Sequence, residues 1–325
     1  CWTLTVEFAR DHSALAYSGL FLLRRPEINM PPGVSGRPEW YNARMAYPRS
    51  IRTEAIVLRQ QVFGEADRIL TLLTPDRGKL AAIAKGVRRP SSRKAGHLDL
   101  FMRADVLLAI GRNLDIVNQA QAIDPFRALR EDLLRSSYAS YCVELLDRFT
   151  PEGETNHELY RLLVDTLTRV NGIDNLALTA RYYELHLLAI VGFRPELERC
   201  LGEGEPVQPE DQYFDSLSGG VLCPSCGSQI QGARPISMSA LKLMRYLQRS
   251  TYEAVHHLRV RPKVASELES MQRHYITSQL ERQLKSVDFL ERVSKGNLSK
   301  LATETIVTMP AKITADAEKT KPVVE

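Results

Sequence analysis

Two groups of side chains in this sequence have types and spacings that suit chemistry. The first is cationic: Lys85, Arg88, Arg89, Arg93 and Lys94 stand close together, and no acidic residue occurs between Lys85 and Leu98. Crowded ammonium and guanidinium groups repel one another, and a phosphate backbone relieves that repulsion. Lys79, Arg112 and Arg59 extend the same footprint if their side chains take the same face. The second group is a thiol set. Cys223-Pro-Ser-Cys226 has C-x2-C spacing, and Cys200 precedes it by 23 residues. Tetrahedral zinc is held by four ligands, often from two such knuckles. The partner position for Cys200 is 203, which holds Glu203. A carboxylate can ligate zinc, but it is harder than a thiolate and gives a weaker site. Zinc is therefore a candidate cofactor, with Cys200, Cys223 and Cys226 as ligands and Glu203 as the candidate fourth. The alternative is a degenerated knuckle held together by packing.

Other chemistry finds less support. Redox use of Cys223 and Cys226 would call for a surrounding βαβ pattern, which is missing. His256 and His257 are adjacent, so on a helix they diverge by about 100° and cannot chelate as an i,i+4 pair does; one buried and one exposed histidine are expected. His186 reads as a satisfied core residue and Cys142 as a small hydrophobe. Gly78-Lys79 lacks the Ser or Thr of a phosphate loop, since Leu80 follows, so no nucleotide cofactor is implied. Asp99 and Asp105 are the carboxylates a metal-dependent nuclease would need near an open site, but nothing between them supports that role. No nucleophile–base set is present, and the expectation is a protein that is not an enzyme.

The elements that must position these groups are legible from period and punctuation. Alternating apolar residues over 54–62, 68–74, 79–85, 101–110 and 114–122 predict five short strands, with Gly64-Glu-Ala-Asp67 and Pro75-Asp-Arg-Gly78 as turns. Five strands in so short a span fit the OB-fold, a small barrel that binds single strands. The basic group falls in the loop between strands three and four. A charge run in a loop is often only a solvated surface; the barrel context and the absence of acids favour nucleic acid. Phe63 and Phe101 are the only aromatics between 50 and 122, so binding should be driven by phosphate charge and tolerate any base sequence.

From Asp124-Pro125 onward the spacing becomes helical. Phe126, Leu129, Leu133, Tyr141, Leu145 and Phe149 form one stripe, Leu159 to Val170 a second, and 178–191 is apolar nearly all round, as a central buried helix would be. A Gly- and Pro-rich loop at 200–227 follows, then helical patterns over 238–247, 252–258 and from Pro262 through Leu284 and Val287. The expected class is α+β: an N-terminal five-stranded OB-fold barrel, then an all-α domain with a zinc-knuckle-like insertion. The expected organisation is 1–44 as a disordered or non-native extension with Met45 the start, 45–123 the barrel, 124–294 the helical domain with its insertion at 198–230, and 295–325 a disordered tail.

Charge and cysteine content agree with this division. The net charge is +4, yet residues 50–122 hold 12 Lys and Arg against 7 Asp and Glu, so the basic excess belongs to the barrel. Five sparse cysteines argue against a disulfide scaffold and for a reducing compartment. No apolar run reaches the roughly 20 residues that span a bilayer, and Arg24 and Arg25 follow the short apolar run at 15–23 rather than precede it, unlike a signal peptide. A cytoplasmic protein is expected.

The run from Phe63 through Gly-Glu-Ala-Asp-Arg-Ile-Leu-Thr-Leu-Leu to Thr74, with Gly78-Lys79 and the stretch to Pro90, resembles the bacterial recombination mediator family RecO. Gly192-Phe-Arg-Pro and the residues leading to Cys200, and Gly219 to Gly227, look like the approach to that family's first and second zinc knuckles. The likeness spans 49–293. It implies binding of single- and double-stranded DNA, annealing of complementary strands, and work with RecR and the single-strand-binding protein SSB, whose C-terminal tail the helical domain holds, to load RecA in nucleoid-associated repair. The DNA contacts it implies are Lys79, Lys85, Arg88, Arg89, Arg93 and Lys94. Glu203, where the family often has cysteine, is the main departure. The competing class is a non-enzymatic, zinc-stabilised adaptor whose basic barrel binds an acidic protein partner.

Overall fold

The computed structural model describes residues 50–280, apart from 113, 173 and 174. The expectations for 1–44, for Met45, for the stripe beyond 280 and for the 295–325 tail lie outside the described residues. The alternating residues do pair as strands. β1 (Ser50–Phe63), β2 (Asp67–Thr74), β3 (Gly78–Ala84), β4 (Arg103–Ala109) and β5 (Asp115–Asp124) close a barrel in the order β1-β2-β3-β5-β4. All neighbours are antiparallel except β3 and β5, which meet through Ala82 opposite Asp115 and Ile83 opposite Ile116. β1 serves two partners, β4 along its first half and β2 along its second, with a bulge between Val57 and Arg59 where it bends. Inward residues such as Val57, Leu70, Leu72, Ala82, Val106, Leu108 and Val117 fill the barrel.

The helical region starts differently from its pattern. The stripe from Phe126 to Phe149 predicts one helix, but the chain forms α1 (Ala128–Glu131) and α2 (Leu133–Phe149). Asp132 separates them, in an extended conformation, and its side chain accepts from the Arg135 N–H at 2.9 Å. A short acid that satisfies the first free amides of a helix favours a boundary there over continued helix. The break turns Leu133 outward, 44% exposed. α3 (His157–Gly172) and α4 (Leu176–Ile190) follow, and α4 is buried almost throughout. Even its charges are interior: Arg181 pairs with Glu184 at 2.7 Å, and the Tyr141 hydroxyl donates to the same carboxylate at 2.5 Å. Gly192, at φ 86°, ends this segment. His186 is half-buried on α4, its Nε2 3.1 Å from the Leu247 carbonyl.

The segment expected to be a loop at 200–227 contains strands. β6 (Gln212–Asp215), β7 (Gly220–Leu222) and, further on, β8 (Arg234–Ile236) form a sheet in the order β7-β6-β8, with the single turn α5 (Pro224–Gly227) between β7 and β8. Strands of three or four residues are too short to show a two-residue period. Then come α6 (Met238–Arg249), α7 (Tyr252–Val255) and α8 (Pro262–Leu280). α7 stops before Leu258, and both His256 and His257 are exposed, a correction to one buried and one exposed; a single turn has no second turn to bury either ring.

Barrel and helices share a core. Ile56, Leu58, Leu73 and Phe101 from the barrel join the helical hydrophobic cluster. Gly78 lets the 152–154 segment approach: a Cβ there would lie 1.9 Å from the Glu154 carbonyl oxygen, and the next residue's carbonyl accepts from Gly153 N–H at 2.8 Å. No helix among the described residues is long and apolar enough to cross a membrane.

Candidate nucleic-acid interface and thiol cluster

The basic loop is built as a plug. After β3 the chain turns at Gly86, at φ 68°, and buries Val87 and Leu98 in the barrel core. Consecutive turns bind Arg89 to Gly86, Ser92 to Arg89, Ala95 to Ser92 and His97 to Lys94. Asp67 on β2 accepts from the Gly86 N–H at 2.7 Å, and Arg88 N–H donates to the Ala66 carbonyl at 2.9 Å. At the far side the His97 Nδ1 accepts from Ala122 N–H on β5 at 3.2 Å. With its apolar residues inside and both ends tied to strands, the loop holds Lys85, Arg88, Arg89 and Arg93 outward and exposed.

Ion pairing sorts the barrel's cations. Arg52 bonds Asp105 at 2.7 Å, Arg68 bonds Asp99 at 3.3 Å, Arg77 pairs with Asp115, and Arg103 bridges Glu54 and Asp124, each at 2.8 Å. The two carboxylates weighed for a nuclease, Asp99 and Asp105, are thus each held by a guanidinium. Lys79 is buried, its Nζ 2.7 Å from both the carboxylate and the carbonyl oxygen of Asp147 on α2. It clamps barrel to helices, and its charge is already paired. Among the described residues Arg59, Lys85, Arg88, Arg89, Arg93, Lys94 and Arg112 have no carboxylate within ion-pair distance.

Within that set, Arg88 donates to the Glu65 carbonyl at 3.0 Å, which steadies the side chain and leaves its charge unneutralised. Lys94 is half-buried: burial lowers its pKa, and Nζ donates to the Val117 carbonyl at 2.9 Å. Arg112 is exposed away from the loop, at a cleft of about 510 Å³ beside the β2–β3 turn, which Asp76, Arg77, Asp115 and Glu152 also line. The structure therefore gathers four of the anticipated contacts on the loop face, keeps Lys94 at its margin, and separates Lys79 and Arg112 from it. Which cations already have acids could not be read from the chain, because every one of these pairs except Arg103–Asp124, which face each other across the β4–β5 hairpin, needs the closed barrel or the helices beneath it.

The thiols converge. The sulfurs of Cys200, Cys223 and Cys226 lie within 4.8 Å of one another. Glu203 comes to the same place: its Oε1 is 3.4 Å from Cys226 Sγ, 3.6 Å from Cys223 Sγ and 3.1 Å from Ser225 Oγ. The Cys226 thiol, then Ser225 and Cys223, donate to this carboxyl and hold it below the usual range. Cys200 is buried, which by itself raises a thiol's pKa, but backbone N–H groups of Cys223, Glu203 and Gly202 bring it down to about 7. One of them, Cys223 N–H, is 3.2 Å from the sulfur. Gly202 is the floor of the cluster, since a Cβ there would lie 2.6 Å from Cys226 Sγ and 3.7 Å from Cys200 Sγ. Three sulfurs this close together are a donor set that could hold a metal ion, and the Glu203 carboxylate lies beside two of them.

Comparison with known proteins agrees with this layout. A family model described as "Recombination protein O N terminal" matches residues 45–126, and one described as "Recombination protein O C terminal" matches 130–288. A protein of Roseiflexus sp. named DNA repair protein RecO is 42% identical over 245 residues, covering 75% of this chain and 86% of the relative. Proteins of the same name from Dehalococcoides mccartyi and Symbiobacterium thermophilum are 37% and 39% identical, covering 78% and 73% of this chain and 100% and 95% of those relatives.

Proposed function

Since this chain belongs to the RecO family of DNA repair proteins, we propose that it is a non-enzymatic mediator that holds DNA backbones on its basic loop and lets complementary strands meet. Lys85, Arg88, Arg89 and Arg93 contact phosphates of single- or double-stranded DNA, with Lys94 lending charge from the loop's margin. The observation that carries this reading is the sorting of charge: five barrel cations carry acids of their own, while Lys85, Arg88, Arg89 and Arg93 of one anchored loop have none within ion-pair distance among the described residues. Two phosphate backbones repel, and a fixed cluster of cations reduces that repulsion without reading bases, so sequence is matched by pairing alone. Nothing in this step makes or breaks a covalent bond.

Family membership extends the proposal to partners: RecR, the C-terminal tail of SSB on the helical domain, and delivery of RecA to SSB-coated DNA in the cytoplasm at the nucleoid. Cys200, Cys223, Cys226 and Glu203 would hold zinc, which supplies a structural cross-link between the 200–203 turn and the β7–α5 turn and no catalysis. The division into a barrel at 45–123 and a helical domain from 124 to 294, with the insertion at 198–230, is retained in this reading. The test is annealing of SSB-coated complementary strands by the full chain. Arg88→Ala/Arg89→Ala/Arg93→Ala should slow annealing at least tenfold with an unchanged thermal melt. Annealing at the wild-type rate would favour an adaptor whose loop meets an acidic protein.

A further inference from the structure

β1 runs past the barrel. Beyond the bulge at Arg59 it pairs only with β2, and Val62 and Phe63 at its end are 58% and 51% exposed. Single exposed apolar residues need no explanation; an adjacent pair at a hairpin tip, one of them the barrel's only exposed aromatic, calls for one. Phe101, the other aromatic, is 1% exposed and belongs to the shared core. Register fixes the face of the hairpin from which Phe63 projects. Phe63 is directly opposite Asp67, and cross-strand partners project from the same face about 5 Å apart. Asp67 on that face holds the loop's Gly86 N–H at 2.7 Å. The tip is also stitched to the loop through Arg88, which donates from its backbone to Ala66 and from its side chain to Glu65. An exposed phenylalanine thus stands at the hairpin tip to which the loop's Gly86 and Arg88 are hydrogen-bonded.

We propose that Phe63 stacks on an unpaired base of a strand whose phosphates lie on the loop, giving single-stranded DNA an advantage over duplex. The inference rests on the DNA-binding reading above. A strand drawn to the loop by charge brings its bases within reach of the hairpin tip. An unpaired base offers a free face to the ring, whereas a paired base is already stacked within its duplex. Because every base has such a face, the contact adds affinity without sequence preference.

The test uses the full chain, its Phe63→Ala and Phe63→Trp variants, and three labelled ligands: oligothymidylate, a duplex of equal length, and an abasic single strand with the same number of phosphates. Phe63→Ala should weaken oligothymidylate binding roughly tenfold, the order of one lost base stack. It should leave duplex and abasic binding and the salt slope at wild-type values. Phe63→Trp should keep wild-type affinity, and its added indole emission should be quenched by oligothymidylate and not by the abasic strand. No loss on oligothymidylate, or an equal loss on all three ligands, overturns the proposal. Failure of the loop substitutions to alter the salt slope would instead overturn the DNA-binding reading, so the two can fall separately.

Discussion

Replacing three loop arginines gives a prediction whose size can be worked out. Lys85, Arg88, Arg89 and Arg93 are exposed and have no acidic partner among the described residues, so each is available to displace a counterion from DNA. On single strands each phosphate contact adds about −0.7 to the slope of log affinity against log salt, giving about −3 for four. Between 50 and 200 mM salt such a slope lowers affinity about fiftyfold. Arg88→Ala/Arg89→Ala/Arg93→Ala should flatten the slope by about 2, leaving a loss of only about threefold over the same range if Lys85 alone remains. If Arg59 or Arg112 also touches DNA, both slopes are steeper but their difference is unchanged. The fold should persist, because Val87, Leu98 and the bonds of Gly86 and His97 hold the loop without these side chains. Fluorescence anisotropy of a labelled oligonucleotide across a salt series reads both slopes. An unchanged slope in a variant with a wild-type thermal melt refutes the assignment of the loop as the phosphate contact.

Other outcomes follow from the same structure. Lys79→Met should lower unfolding free energy by about 1–3 kcal/mol, since it strands the Asp147 carboxylate at the edge of the interior, yet leave the salt slope alone; a flattened slope would return Lys79 to the DNA footprint. Gly78→Ala should be more disruptive still, because the position has φ 61° and its Cβ would meet backbone, and a thermal melt within experimental error of wild type would contradict the close approach at Glu154. Burial, the largest influence, raises the Glu184 carboxyl to about 6, so the folded state binds the extra proton between the ordinary glutamate range and that value. Stability should therefore fall by about 2 kcal/mol as pH rises from about 4.5 to 6, and urea titrations of Glu184→Gln should lack that segment of slope. Glu203→Cys should bind zinc more tightly than wild type in a chromophoric chelator competition, and Cys223→Ser more weakly; equal affinities across the three would remove residue 203 and Cys223 from the ligand set.

Much of this protein was written in the order of its residues. Alternation and two Gly-containing turns marked five strands, and a barrel of that kind leaves a loop between strands three and four where the cations fall. The C-x2-C spacing marked two of the three clustered thiols, because a turn of that length brings sulfurs together wherever it occurs. Period failed where local forces were short or divided: the strands β6 to β8 have too few residues to alternate, and Asp132 stopped a helix that the apolar stripe would have continued. Tertiary structure alone decided which positive charges are free. Lys79 and Arg93 look alike in the chain, yet Asp147 arrives from α2 to neutralise the first, and among the described residues no acid reaches the second. It also brought Glu203 to the sulfurs and tied Arg88 of the loop to the hairpin tip that carries Phe63. Local pattern follows from a residue's own neighbours along the chain; an ion pair or a ligand set depends on closing loops of tens of residues, which only the packed core fixes.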